Sequence, residues 1–250
     1  MQNWSMEQGS PLESARRIVK EHVPNAKGAV LAGSALTSRR TATSDLDIVV
    51  FISDGDESFR ETVEEFGWLA ELFVQTEASF TFFVAQETAA RRSTLLSMCA
   101  EGTALFSIDG TTENYQVEAQ RLLDLGPPPL TDDELLHARY MLTDLLDDFA
   151  GATDASELNF ITGQLLIKSA EVALSSEGKW LGVGKWLARR LEEWNPELLA
   201  RLSDAATTAL STNDRTQLRS VVLDVLTRVG GPLSIGYQQN SRSDEQRELH

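Results

Sequence analysis

The chain of 250 residues holds one cysteine, Cys99, so no intrachain disulfide can staple it, and this fits a reducing compartment. It also lacks any apolar run near the roughly 18 residues that a membrane span needs. Its amino terminus has no basic segment leading into an apolar stretch. The expectation is a soluble, cytoplasmic protein. Basic residues are scarce as well: 22 Lys and Arg stand against 38 Asp and Glu, for a formal net charge of −16. Such a surface repels phosphate backbones, which disfavours bulk nucleic acid as a partner. It does not forbid a single nucleotide, because a cleft can be locally basic. No internal repeat and no low-complexity segment is present. Hydrophobic residues at 42% and charged residues at 24% are ordinary globular values, and the length suits one large domain or two ordinary ones.

What the chain does have is a pattern near residue 40. An apolar run, Ala29-Val30-Leu31-Ala32, leads into Gly33-Ser34. A polar loop with Arg39 and Arg40 follows, then Ser44-Asp45-Leu46-Asp47-Ile48-Val49-Val50-Phe51. Side chains of an extended strand alternate with a period of two, so Asp45 and Asp47 share a face. Two adjacent carboxylates repel unless a cation lies between them, and Mg2+ suits that oxygen pair while keeping positions open for substrate phosphates. A Gly-Ser turn lets the backbone approach phosphate oxygens, with N–H groups and the Ser34 hydroxyl as donors. A third acid, Glu71, stands inside the strand-like run Trp68-Leu69-Ala70-Glu71-Leu72-Phe73-Val74, where an acid is unfavourable unless it faces a functional cleft. Its rival, Glu77, reads as part of a helix start.

Gly-Ser, ten intervening residues, then Asp-hydrophobic-Asp-hydrophobic resembles the signature of the polymerase-β-like nucleotidyltransferases. The resemblance covers about residues 29–75. It implies that Asp45 and Asp47 hold metal ions and that a third carboxylate, Glu71, completes the metal site or acts as general base. Gly33 and Ser34 would position the β- and γ-phosphates of a nucleoside triphosphate, expected to be ATP, and Arg39 or Arg40 could add charge. The implied reaction is Mg2+-dependent transfer of a nucleoside monophosphate to a hydroxyl.

The remaining chain frames this pattern. Residues 1–9 read as a loose lead-in. Ser10-Pro11-Leu12-Glu13 reads as a capping box with proline at the first helical position, and Leu12, Ala15, Val19 and Val23 follow on one face. His22, near the end of that helix, reads as a surface or capping residue. Residues 53–56 read as a turn, with Asp54 and Asp56 as turn residues. Residues 57–67 read as a helix that buries Phe59, Val63 and Phe66. Two helices, 76–90 and 91–101, follow, the first with an apolar stripe of Phe80, Phe83 and Val84, the second closed by Gly102. A strand over 103–108 and a helix over 111–125 complete this half.

Gly126-Pro127-Pro128-Pro129 makes a stiff connector, and Thr131 to Glu134 restarts the chain with a second capping box. From there the period is helical: one helix striped by Leu135, Ala138, Leu142, Leu145 and Leu146, another over 155–175, a third after Gly184, a fourth capped at Asn195, and a last over 214–229. The fold class is therefore α+β: a small mixed-sheet nucleotidyltransferase domain over residues 1–126, an all-α helical bundle over 131–237, and a polar tail over 238–250. Lys168, mid-helix among apolar residues, and Lys185, at a helix start, read either as phosphate contacts or as snorkelling surface lysines. Of Trp180, Trp186 and Trp194, at least two are expected in the bundle core.

A helical domain after the catalytic one resembles the layout of the aminoglycoside nucleotidyltransferases. That layout implies an aminoglycoside-like small-molecule acceptor and a role in antibiotic resistance, with which Asp144, Asp147 and Asp148 are compatible. A solvated acidic face explains the same three acids. The alternatives are a protein or RNA acceptor, and a non-catalytic module that binds a nucleotide or a partner.

Overall fold

A computed structural model describes residues 9–238. The lead-in and the polar tail of the sequence reading lie outside the described residues, save Gly9 and Gln238. The chain divides into two compact units, Met1–Pro127 and Pro128–His250.

The first unit is built on a mixed five-stranded sheet. Its strands are β1 (Gly28–Ala32), β2 (Leu46–Phe51), β3 (Phe59–Glu65), β4 (Trp68–Gln75) and β5 (Thr103–Ser107), in the order β3-β4-β2-β1-β5. Only β2 and β4 run parallel; the other neighbours are antiparallel. β1 is buried along its whole length, as a central strand covered on both faces must be. One face packs Leu46, Ile48, Val50, Ala70, Leu72 and Val74 against α1 (Pro11–His22) through Ala15, Ile18 and Val19. The other is covered by α2 (Glu77–Ala89), α3 (Thr94–Glu101) and α4 (Thr111–Leu125). There Phe51 stacks on Tyr115 of α4 with centroids 3.9 Å apart, and Phe80 of α2 meets the same ring edge-on at 4.9 Å. Such aromatic pairs contribute beyond their buried area.

Several expectations are corrected. Residues 57–67 are not a helix but the edge strand β3 and the turn that joins it to β4. Phe66 (φ 52) and Gly67 (φ 78) form a two-residue loop with both residues left-handed, the geometry that matches the twist of a hairpin. Arg17 of α1 lies 3.7 Å from the Phe66 ring centroid and holds the unusual non-glycine turn residue in place. Phe59, given as buried, is 40% exposed. Ser10 precedes α1 without a side-chain capping bond, so proline at the first turn alone marks that start. Gly102 follows α3 with φ −74, not as a left-handed cap. Its lack of a side chain serves close packing instead, since a Cβ there would fall 2.2 Å from Val30 Cγ1. Phe83 is exposed, unlike Phe80 and Val84.

The turn residues Asp54 and Asp56 work structurally. Asp54 Oδ1 accepts from the Glu77 N–H at the start of α2, and Asp56 Oδ2 accepts from Asn25 Nδ2. His22 lies beside Glu61 and Glu65 of β3, at 3.6 and 3.9 Å.

The second unit is helical: α5 (Asp132–Gly151), α6 (Ala155–Ser176), α7 (Lys185–Trp194), α8 (Pro196–Thr212) and α9 (Thr216–Arg228). The capping box at Thr131 and Glu134 forms in both directions, and Asp154 and Asn195 cap α6 and α8 with their side chains. Leu142, Leu146 and Phe149 of α5 join Leu165 and Leu174 of α6 and Val222 and Leu226 of α9 in one core. Arg215 donates to the carbonyls of Phe149 and Ala152, each at 2.7 Å, and so satisfies the open end of α5. The three tryptophans are less buried than expected. Trp194 packs against the core, whereas Trp186 is 39% exposed beneath the Arg189 guanidinium. No helix of the described residues is long and apolar enough to cross a membrane.

Candidate active site

The site grows from the pairing of β1 with β2. In that antiparallel register Ala32 lies opposite Asp47, so the turn that leaves β1 sits beside the Asp47 carboxylate. Gly33 takes φ +74, and a Cβ on it would fall 2.1 Å from Asp47 Oδ2. Glycine is required twice here, by backbone conformation and by the carboxylate pressed against it. Asp45 stands immediately before β2, and both aspartates are half-buried.

The connection between the turn and β2 closes on itself. Ser34 Oγ and Ser44 Oγ are 2.8 Å apart, and Ser44 Oγ accepts from the Thr41 N–H at 2.9 Å. Thr37 donates through both its N–H and its hydroxyl to the Ser34 carbonyl. These bonds hold Ser34 close to the residue that precedes Asp45. Arg39 is exposed on this loop, and the Arg40 guanidinium lies 4.6 Å from the Trp68 ring centroid.

Glu71 enters from β4. Parallel pairing makes it the direct partner of Asp47, so both side chains leave the same sheet face on adjacent strands. Its carboxylate also has a cationic neighbour. Arg60 of β3 donates to Glu71 Oε2 at 2.7 Å, and among the described residues no three His, Cys, Asp or Glu side chains gather as a metal site. Mg2+ is commonly held by one or two carboxylates, with substrate phosphates and water completing its shell. Asp45 and Asp47 fit that need. Arg60 is the residue that sequence reasoning missed, because it lies in the stretch read as helix.

Along the same face, beyond Glu71, lies a cavity of about 280 Å3 between β3–β4 and the helices α2 and α3. Its lining is mostly apolar, including Phe73, Phe83, Leu95 and Met98, with Arg60 and Glu87 as its charged members. Arg60 lies 4.6 Å from the Phe73 ring centroid, between the cavity and Glu71. Glu87 Oε2 accepts from the Leu95 N–H at 2.9 Å. Burial pushes the Glu87 carboxyl above its ordinary value, against the lowering effect of that backbone bond. Nearby, burial pushes the Cys99 thiol up to about 12, with the Glu87 charge adding to the effect.

Lys168 and Lys185 belong to the second unit. Lys168 pairs with Glu171 Oε2 at 2.7 Å, one helical turn away, and Lys185 is the exposed first residue of α7. Asp147 and Asp148 line a shallow hollow together with Glu157 and the exposed Phe160.

The model of the nucleotidyltransferase domain family matches residues 12–95, from α1 into α3, and the match includes the turn, both aspartates, Arg60 and Glu71. No curated protein matches the chain. Among solved structures, a nucleotidyltransferase-like protein from Exiguobacterium sibiricum is similar at 12% identity and a TM-score of 0.43, covering 87% of this chain and 73% of that one. Residues 12–95 are thus similar to a nucleotidyltransferase domain, and the enzyme class this match supports is nucleotidyl transfer.

Proposed function

We propose that the chain is a divalent-metal-dependent nucleotidyltransferase that moves a nucleoside monophosphate from a triphosphate, with ATP and Mg2+ as the expected pair, onto a hydroxyl of a small molecule. The observation that carries this reading is the Asp47 carboxylate seated on Gly33, with Glu71 as its in-register neighbour. Asp45 and Asp47 would hold the metal, which supplies charge neutralisation on the phosphates when bound. Backbone N–H groups at Gly33 and Ser34, with the Ser34 hydroxyl, would donate to the β- and γ-phosphates, and Arg39 would add positive charge.

Transfer forms a bond from the acceptor oxygen to the α-phosphorus and breaks the bond to the β-phosphate oxygen, with pyrophosphate leaving on the electron pair. The hydroxyl proton passes to Glu71, which the Arg60 salt bridge holds in place as a base. Positioning supplies most of the rate, as is general for phosphoryl chemistry. Residues 1–126 would form the catalytic domain and 131–237 a helical domain.

A second reading of the acceptor, a cationic aminoglycoside-like molecule with a role in antibiotic resistance, is favoured by the hollow at Asp147, Asp148 and Glu157. The deciding experiment is metal-dependent pyrophosphate release from ATP with pooled hydroxylated small molecules, aminoglycosides included. Asp47→Asn should abolish it, and full activity in that variant would sink the assignment.

A further inference from the structure

The order of strands across the site has a directional meaning. The phosphate-binding turn follows β1, Asp47 is on β2, Glu71 on β4 and Arg60 on β3, which are successive neighbours in the sheet. In-line displacement requires the entering oxygen and the leaving pyrophosphate to lie on opposite sides of the α-phosphorus. With the leaving phosphates at Gly33 and Ser34, the acceptor must arrive from the β4–β3 side. That is where the cavity lies: Phe73, two residues beyond Glu71 on the same face, is part of its lining, and Arg60 bridges the two.

We propose that this cavity is the acceptor subsite, and that the acceptor is a small hydroxylated molecule whose neutral apolar part, an aromatic ring or a short alkyl segment, fills it. The inference rests on the nucleotidyl-transfer reading and names the substrate class for that same site. The chemistry of the lining excludes a polycation as its occupant. Its carboxylate, Glu87, is engaged with the start of α3, and its guanidinium, Arg60, with Glu71. Beside the neutral polar residues Ser58, Gln75 and Thr94, what remains is apolar surface from Phe73, Phe83, Leu95 and Met98. A pocket of this kind gains affinity from burying apolar area and orients its ligand through a few polar groups at the rim. Arg60, held between Glu71 and the Phe73 ring, is such a rim group, and it would set the acceptor hydroxyl beside the base.

The test uses the full chain and 2-phenylethanol as a neutral aromatic alcohol, with kanamycin as the polycation. Binding is read by saturation-transfer NMR, and Mg·ATP binding by calorimetry on the same samples. Met98→Trp fills the cavity from its wall, and Phe83→Ala removes an exposed wall at little risk to folding. The expected result is alcohol binding that is about tenfold weaker in Met98→Trp and clearly weaker in Phe83→Ala, with Mg·ATP binding unchanged in both. Alcohol binding that ignores both variants, or binding of kanamycin alone, overturns the proposal. Mg·ATP binding without any alcohol binding removes the acceptor subsite while leaving the transferase reading intact. Cavity-dependent alcohol binding without Mg·ATP binding defeats the transferase reading, and the acceptor role falls with it.

Discussion

Gly33→Ala separates backbone strain from loss of the site. At φ +74 an L side chain costs about 1–2 kcal/mol, which in a chain of this size lowers the midpoint of thermal unfolding by a few degrees. The added Cβ also meets Asp47 Oδ2 at 2.1 Å, so the carboxylate must retreat by about 1 Å to reach a tolerable contact. A misplacement of about 1 Å at a reacting centre costs roughly 100-fold in rate. The matched control is Gly55→Ala. Gly55 has φ +99, yet nothing lies within 4 Å of its added Cβ. Both variants should lose similar stability. Only Gly33→Ala should lose about 100-fold in kcat for pyrophosphate release at saturating Mg·ATP, measured at a temperature where circular dichroism shows both folded. Wild-type turnover in Gly33→Ala would refute the claim that this turn seats Asp47. Equal losses of activity in the two variants would refute it as well, because strain alone would then account for the effect.

Other consequences can be checked on the purified protein. Burial raises the Glu87 carboxyl from an ordinary value of 4.5, so the folded state holds that proton more tightly than the unfolded state does. Its contribution is fully present below pH 4.5 and is lost as pH rises through the folded value. Glu87→Gln keeps an acceptor for the Leu95 N–H, so its thermal midpoint should gain on the wild type as pH rises from 4.5; a difference constant with pH would contradict the assignment. The Cys99 thiol, buried and pushed up to about 12, is thiolate at a fraction on the order of 10⁻⁴ at pH 8. Iodoacetamide should leave it intact in the native protein and label it after unfolding in guanidinium, and labelling at equal rates in both states would be the contrary result. The Ser169 hydroxyl on α6 is fully buried with no hydrogen-bond partner among the described residues. Ser169→Ala should therefore stabilise by about 1 kcal/mol, seen as a higher urea midpoint with unchanged slope; a lower midpoint would mean that the hydroxyl has a partner.

The parts of the chain legible in sequence are those where one physical requirement dominates. β1 is buried on both faces and appears as an unbroken apolar run, and β2 is a like run interrupted only by the half-buried Asp47. The bundle helices carry caps with a chemical signature, as at Thr131 and Asn195, and their starts fall within a residue or two of where the sequence puts them. Gly33 was recognisable because a tight turn before an acidic strand start needs glycine. The closer reason, a carboxylate resting where a side chain would be, depends on strand register and could not be read from spacing. Ser10 shows the reverse case. The pattern of a capping box was present, but the bond it predicts does not form.

β3 failed for a reason that also decides the site. A spacing of four residues, as between Phe59 and Val63, puts both on one face of a helix and equally on one face of a strand. As an edge strand with mostly exposed residues, β3 offers no apolar alternation to break that tie. Its turn, Phe66-Gly67, lacks the Asn or Asp that advertises a hairpin, and depends on Arg17 over the phenylalanine ring instead. Reading this stretch as helix removed Arg60 from view, and with it the partner of Glu71. Seen alone, an acid in an apolar strand looks like a third metal ligand. Beside Arg60 on the neighbouring strand, diagonal to it in the register, it also has a counter-charge at 2.7 Å. The role assigned to Glu71 therefore turns on which strand lies beside β4, a fact of topology that no local pattern in residues 68–74 contains.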